Sequence, residues 1–318
     1  MKAVFLDLDT VSLADEIALD ALRECLDELE VYPHSAPATI PERVADCQVL
    51  ITNKCRITAE IMDAAPGLEM ICLAATGFDN VDVDAARQRN IAVCNIVAYA
   101  TPSVVQHTFA LMLTLNQRLD DYRERLRQGD WERNPHFTML DYPFHELSSR
   151  RLGIVGYGEL GRNVARVAEA FGMEVLIAER AGRSPRPGRL PLEAVLESAD
   201  ILTLHCPLNE ETRHLIDAGA LERMPSHALL INTARGAVVD EAALADALRQ
   251  GKIAGAGIDV LSQEPPVDGN PLLDEGIPNL VLTPHIAWAG VEARQRAITE
   301  IAANIRAYQA GESRNRVD

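Results

Sequence analysis

Apolar residues along the chain fall into short runs separated by stretches of helical spacing. In the first third, runs at positions 2–8 (KAVFLDL), 31–32, 48–52 (QVLIT), 68–75 (LEMICLAA) and 91–97 (IAVCNIV) predict five strands. The spacing at 14–29, 59–65 and 83–88 predicts helices. Strands alternating with helices imply a parallel sheet covered on both faces. This first unit ends near Ala98.

Pro102 then opens a long amphipathic helix predicted to run to about Arg127, with Val105, Ala110, Leu113 and Leu119 among its apolar positions. Positions 128–149 are irregular and polar, with Trp131, Phe137, Tyr142 and Phe144 interspersed. Such an arm either forms a partner surface or folds back on its own domain.

A second alternation follows. Strands are predicted at 152–155, 174–178, 201–205, 228–232, 256–260 and 280–282, with helices at 163–171, 192–197 and 240–249. Six strands match a doubly wound dinucleotide-binding sheet. A last helix at 291–308 leaves this unit.

The first turn of that sheet reads Arg151-Leu-Gly-Ile-Val-Gly-Tyr-Gly-Glu-Leu-Gly161, a G-x-G-x-x-G spacing between a strand and a helix. Gly156 allows the tight turn, Gly158 lets a pyrophosphate approach the backbone, and Gly161 lets the helix pack closely on the sheet. The helix N-terminus offers N–H groups to phosphates. The next strand ends at Glu179, 18 residues past Gly161. That is near the roughly 20 expected of the acid that binds the adenosine ribose. Strand, glycines, helix, strand and acid together predict a dinucleotide site.

Composition narrows the partners. A chain of 318 residues forms one large or two ordinary domains. Its net charge of −17, with acids scattered, argues against nucleic acid or an anionic membrane. No apolar run approaches the roughly 20 residues of a membrane span. Met1-Lys2 leads directly into a strand, so no signal peptide is expected. The six cysteines show no C-x-x-C pair and no metal-ligand spacing, so no metal is expected. Cys72, Cys94 and Cys206 lie in apolar runs and are expected to be buried thiols, which fits a reducing cytoplasm.

Three polar residues follow the later strands of the second unit: Arg235, Glu264 and His285. Ligands in such sheets bind beyond the carboxyl ends of strands, so all three are expected at one crevice. A cation, a carboxylate and an imidazole suit hydride transfer to a 2-oxo acid. Arg235 can hold the substrate carboxylate in a fork, His285 can protonate the carbonyl oxygen, and Glu264 can pair with the imidazolium. By position alone they could equally be a turn arginine, a loop acid and a hydrogen-bonded core histidine.

The motifs Ile231-Asn-Thr-Ala-Arg-Gly236, Gly257-Ile-Asp-Val260 with Glu264-Pro265, Thr283-Pro-His-Ile-Ala287 and His205-Cys-Pro-Leu-Asn-Glu-Glu-Thr212 resemble the D-isomer-specific 2-hydroxyacid dehydrogenase family. They occur in the family's order along nearly the whole chain. Thr52-Asn-Lys54, Ala75-Thr-Gly-Phe-Asp-Asn-Val-Asp82 and Val105-Gln-His-Thr-Phe-Ala-Leu111 are most similar to its glycerate dehydrogenase and hydroxypyruvate reductase branch.

The resemblance implies an α/β protein of two doubly wound parallel-sheet domains. One is a Rossmann dinucleotide-binding domain at 99–287. The other is a flavodoxin-like, discontinuous substrate domain at 1–98 plus 288–318, joined through a hinge whose closure would exclude water. It implies Arg235, Glu264 and His285 as the catalytic set. Cofactor contacts are implied at Gly156, Gly158, Glu159, Leu160, Gly161, Glu179, Arg180, Thr108, His205, Pro207, Thr212, Thr233, Ala234, Asp259 and His285, with Asp259 at the nicotinamide end. Substrate contacts are implied at Lys54, Thr76 and Gly77, with Arg235 and His285.

The expected reaction is NAD(P)-dependent interconversion of a small 2-oxo acid, hydroxypyruvate or glyoxylate, with its D-2-hydroxy acid. The alternatives are another family activity, on phosphoglycerate or D-lactate, and a dinucleotide-sensing module. The sequence ends at Asp318, so the regulatory domain of many phosphoglycerate dehydrogenases is not expected. The expected partner is a second copy of the chain in a homodimer. Glu179 stands where Asp is more usual and favours NAD, whereas Arg180 and Arg183 after it could accept NADP.

Overall fold

The computed structural model describes residues 1–13 and 16–318. The chain divides into two compact units, Met1–Thr101 with Trp288–Asp318, and Pro102–Ala287.

Unit 1 begins with β1 (Lys2–Phe5), α1 (Asp20–Arg23), β2 (Glu28–Val31), α2 (Ile40–Val44), β3 (Val49–Thr52), α3 (Ala59–Asp63), β4 (Met70–Leu73), α4 (Val83–Gln88) and β5 (Ala92–Cys94). The strands form one parallel sheet in the order β2-β1-β3-β4-β5. Val4, Leu50, Ile71 and Val93 pack in one buried cluster beneath it. Burying a side chain of this size stabilises by about 1.5–3 kcal/mol. The order reverses between β1 and β3, and there Asp7 is buried. Its carboxylate accepts the Thr52 hydroxyl and the N–H groups of Asn53, Lys54 and Cys55, at 2.6 to 3.1 Å. One carboxylate thus shapes the loop leaving β3.

Unit 2 contains α5 (Thr101–Asn116, from its second residue), α6 (Leu119–Arg127), β6 (Arg151–Val155), α7 (Glu159–Ala170), β7 (Glu174–Ala178), α8 (Leu192–Ser198), β8 (Ile201–Leu204), α9 (Ala218–Arg223), β9 (Leu229–Asn232), α10 (Glu241–Arg249), β10 (Gly255–Ile258) and β11 (Leu280–Leu282). Its parallel sheet has the order β11-β10-β9-β8-β6-β7. Beyond β7, Leu190 makes a single parallel bridge with Ala178. Aspartates start two of these helices: Asp217 and Asp240 accept N–H bonds from Ala220 and Ala243. The last helix, α11 (Val291–Gln309), belongs to unit 1 and packs on β4 and α1. The tail beyond it lies along β5, where Val317 N–H donates to Val93 O and Val93 N–H to Asp318.

Four expectations need correction. The helix predicted at 14–29 starts on Ala14 and Asp15, which lie outside the described residues. Of the remainder only Asp20–Arg23 is α-helical, and positions 28 and 29 belong to β2, which ends at Val31 rather than spanning 31–32. The helix predicted from Pro102 to Arg127 is two helices. Arg118 breaks it in the left-handed region at φ +53°, held by an ion pair to Asp121 and by its guanidinium 5.0 Å from the Tyr142 ring centre. Strands predicted at 2–8, 68–75 and 91–97 are shorter, because their ends pass into loops. Cys206 is only partly buried, whereas Cys72 and Cys94 are buried.

The segment at 128–149 folds against α6. Tyr142 meets Tyr122 edge-on at 5.0 Å, and Arg125 pairs with Asp130 and Asp141. Trp131, Phe137, Leu140 and Phe144 nonetheless stay exposed on the single chain, Phe137 at 90%. Among the described residues no helix is long and apolar enough to cross a membrane.

Candidate active site

The glycine turn after β6 has the conformation its sequence demands. Gly156 sits at φ +93°, and a Cβ there would lie 2.5 Å from the His205 carbonyl. A Cβ on Gly161 would lie 2.2 Å from the Gly156 oxygen, so that glycine lets α7 start against the turn. Gly158 differs: nothing lies within 4 Å of its Cβ position, so its backbone faces open space.

That space belongs to a cavity of about 410 Å³ at the carboxyl ends of β6, β7 and β8. Gly156, Gly158, Glu179, Arg180, His205, Pro207 and Thr212 all line it. Glu159 and Leu160 stand in the first turn of the 12-residue α7. The residues fit a dinucleotide: an open glycine backbone and a helix N-terminus for phosphates, with a cavity walled by β-strand ends. His205 is a neutral wall. Burial pulls its imidazole pKa down to about 4, Nε2 lies 3.0 Å from the Thr203 hydroxyl, and Nδ1 is buried without a hydrogen-bond partner. Burial likewise pushes the Cys206 thiol up to about 11.

Sequence reasoning missed part of this wall. Arg186 and Arg189 line it, and Arg186 clamps Glu179 with two bonds of 2.6 and 2.7 Å. That clamp, with the Arg180 N–H, holds the Glu179 carboxyl far below the usual carboxylate range. Arginines at 180, 183, 186 and 189 recur every third residue, a signal present in the sequence.

The other candidates follow the three neighbouring strands β9, β10 and β11. After β9, Asn232 staples the turn, accepting from Ala234 N–H and donating to Arg235 O. Gly236 then packs so closely on Leu261 that a Cβ would overlap it, bringing the Arg235 turn against the Glu264 loop. Glu264 accepts the Leu261 N–H at 2.8 Å and meets Nδ1 of His285 at 2.5 Å. His285 itself stands at φ +56°, its N–H bonded to Asp259 O at 2.7 Å. Arg235 is exposed and donates to Ala234 O.

Asp259 is buried at the end of β10. Its carboxylate accepts the Thr283 hydroxyl and the N–H groups of Ile286 and Ala287, while His107 stands beside it at 3.4 Å. Burial alone would raise its pKa, but these donors outweigh burial and lower it. His107 was not singled out in the sequence, although it lies within the 105–111 motif. Thr108 and Thr233 are buried with hydroxyls 3.3 Å apart, beside buried Ala234.

In unit 1, Lys54 is exposed on the loop that Asp7 shapes. Thr76 turns its hydroxyl back to Ile96 O at 2.8 Å, and Asn95 donates to Thr76 O, so the Thr76–Gly77 backbone is fixed.

Residues 109–287 match the family model described as D-isomer specific 2-hydroxyacid dehydrogenase, NAD binding domain. The chain is 43% identical to a glycerate dehydrogenase of Methylorubrum extorquens over 89% of each chain. A solved structure from Thermus thermophilus superposes with a TM-score of 0.87 at 38% identity over the whole of both chains. An NADPH-dependent glyoxylate/hydroxypyruvate reductase from Sinorhizobium meliloti, solved with citrate, gives 0.84 at 31%, covering 100% of this chain and 98% of that one. A glycine turn facing open space, a histidine–glutamate pair behind neighbouring strands and these matches together make the chain a member of the D-isomer-specific 2-hydroxyacid dehydrogenase family.

Proposed function

We propose that the protein reduces a small 2-oxo acid, hydroxypyruvate or glyoxylate, to its D-2-hydroxy acid, and catalyses the reverse oxidation. The observation that carries this is the 2.5 Å pairing of His285 Nδ1 with Glu264. It commits Nδ1 to the carboxylate and gives proton transfer to Nε2. Bound at the glycine turn, a reduced nicotinamide cofactor supplies the hydride. His285 supplies the proton that completes the hydroxyl, and Glu264 fixes the ring's orientation. Arg235 holds the substrate carboxylate in its guanidinium fork, as a planar cation can and an ammonium cannot. Lys54, Thr76 and Gly77 remain substrate contacts in this reading. Asp259 keeps the His285 loop in place.

We infer a homodimer, supported by the exposed Trp131, Phe137, Leu140 and Phe144 on the arm. Light scattering of the purified protein tests it. Six free cysteines accord with a cytoplasmic location.

The test of function is loss of reduced-nicotinamide absorbance with hydroxypyruvate, glyoxylate, pyruvate and a bulky 2-oxo acid. Turnover fastest with hydroxypyruvate or glyoxylate is expected. Cofactor binding without turnover of any acid would turn the reading towards a sensing module.

A further inference from the structure

We propose that the adenosine end of the cofactor cavity is built for a 2′-phosphate, with Arg186 as the residue that selects NADP(H) over NAD(H). The proposal rests on the reading of this cavity as the dinucleotide site.

A ribose 2′-hydroxyl donates a hydrogen bond, so a carboxylate that reads it must offer a lone pair. Glu179 stands at the position for that task, but its oxygens are taken. Oε1 accepts from Arg186 Nη2 at 2.7 Å and from Arg180 N–H at 3.0 Å. Oε2 accepts from Arg186 Nε at 2.6 Å. Arg189 approaches to 3.7 Å, and the Glu179 side chain is only 2% exposed. The charge that would repel a 2′-phosphate is therefore neutralised and covered by a guanidinium.

The cover is itself the better ligand for a phosphate. The Arg186 side chain is 59% exposed and lines the cavity beside Arg180 and Arg189. Arg189 is steadied over the Tyr157 ring, 5.9 Å from its centre. Arg183 stands at the same rim, 3.6 Å from Glu211. Three guanidinium groups, with Arg183 paired to Glu211 as a fourth nearby, thus accompany two carboxylates, Glu179 and Glu211, in a chain whose net charge is −17. A local positive excess on so acidic a protein needs a specific reason, and a phosphate dianion held by guanidinium forks supplies one. Glu179 is then a positioning residue for Arg186.

The experiment is calorimetric titration of the full chain with 5′-AMP and with adenosine 2′,5′-bisphosphate, followed by kcat/KM for NADPH and NADH. The bisphosphate is expected to bind at least about tenfold tighter, and NADPH to be preferred by a similar factor, as one charge-assisted bidentate contact provides. In Arg186→Gln the bisphosphate advantage should collapse, while kcat/KM with NADH should rise because Glu179 regains its lone pairs. A purely structural role for Arg186 would depress both cofactors alike and would overturn the proposal. Glu179→Gln should keep the NADPH preference, and a swing to NADH in that variant would also overturn it. Equal binding of the two probes defeats the 2′-phosphate assignment but leaves the cavity a nucleotide site. Binding of neither probe defeats the cavity reading itself.

Discussion

Thr283 donates its hydroxyl to Asp259 at 2.6 Å, and Nε2 of His107 lies 2.9 Å from the same hydroxyl oxygen. With the threonine hydrogen committed to the carboxylate, His107 is the donor in the second bond. The trio ties the end of β10 to the turn that carries His285. Thr283→Val keeps the shape and removes both bonds. Hydrogen bonds to charged groups contribute about 1.5–3 kcal/mol. We expect a lower melting temperature and a fall in kcat of about tenfold or more, with KM for the 2-oxo acid changing less. Unchanged kcat in a variant that melts earlier would separate Asp259's structural role from any role in placing His285.

Replacing the proton donor tests the chemistry directly. His285→Gln should lower kcat by about 100- to 10,000-fold, the range of general acid catalysis. Cofactor affinity, read by fluorescence quenching, should stay within a few-fold of wild type. Near wild-type turnover would remove His285 from the reaction.

Arg235→Lys keeps the charge and loses the fork. A bidentate site does not tolerate that exchange. Steady-state kinetics should show kcat/KM for the 2-oxo acid falling about tenfold or more. A variant as efficient as wild type would mean that Arg235 does not hold the carboxylate.

The glycines of the turn should separate folding from binding. At Gly161 an added methyl meets the Gly156 oxygen at 2.2 Å, so Gly161→Ala should cost about 1–3 kcal/mol of stability by overpacking. At Gly158 nothing lies within 4 Å and φ is −87°, which alanine accepts. Gly158→Ala should change stability by no more than about 0.5 kcal/mol yet weaken the cofactor, because the methyl occupies the phosphate approach. Equal cofactor affinity in Gly158→Ala would move the pyrophosphate elsewhere.

His205 predicts a pH dependence. Its folded pKa of about 4 lies below the ordinary imidazole value of 6.5, because burial disfavours the imidazolium. The unfolded chain therefore binds this proton first, and stability falls as pH drops from 6.5 towards 4. The loss from this group is about 3 kcal/mol and is complete roughly one unit below pH 4, where both states are protonated. His205→Asn should flatten the curve of denaturation midpoint against pH in that window. Parallel curves for the two proteins would show that the group titrates normally in the fold.

What the sequence made legible was set by chain continuity. The turn at 156–161 announces itself because each glycine answers to a neighbour within the same strand–helix unit or to open space. The first half of β2 was read as the end of a helix because it is an edge strand, half-exposed, with Glu28 and Glu30 interrupting its apolar residues. The break at Arg118 was invisible because arginine carries no preference for φ +53°, and its reasons, Asp121 and Tyr142, are tertiary. The clamp on Glu179 was missed for a related cause. Arg186 reaches back seven residues across an irregular segment that carries no periodicity. The pairing of Glu264 with His285, 21 residues apart, was legible because both follow strand ends that open on one crevice, whereas the choice of Nδ1 as the paired atom was not.

The interruption of unit 1 by unit 2 has a consequence for synthesis. The first 101 residues leave the ribosome carrying five strands but without α11, whose Ala297, Ile298, Ile301 and Ile305 are fully buried in the finished protein. The 186 residues of unit 2 are made before the chain returns to unit 1 and that helix. At about 5–20 residues per second the wait is roughly ten to forty seconds. Unit 2 is contiguous and can close first, so the nascent chain carries a five-stranded sheet without this helix while unit 2 is made. A chaperone that shields apolar surface would find its target there.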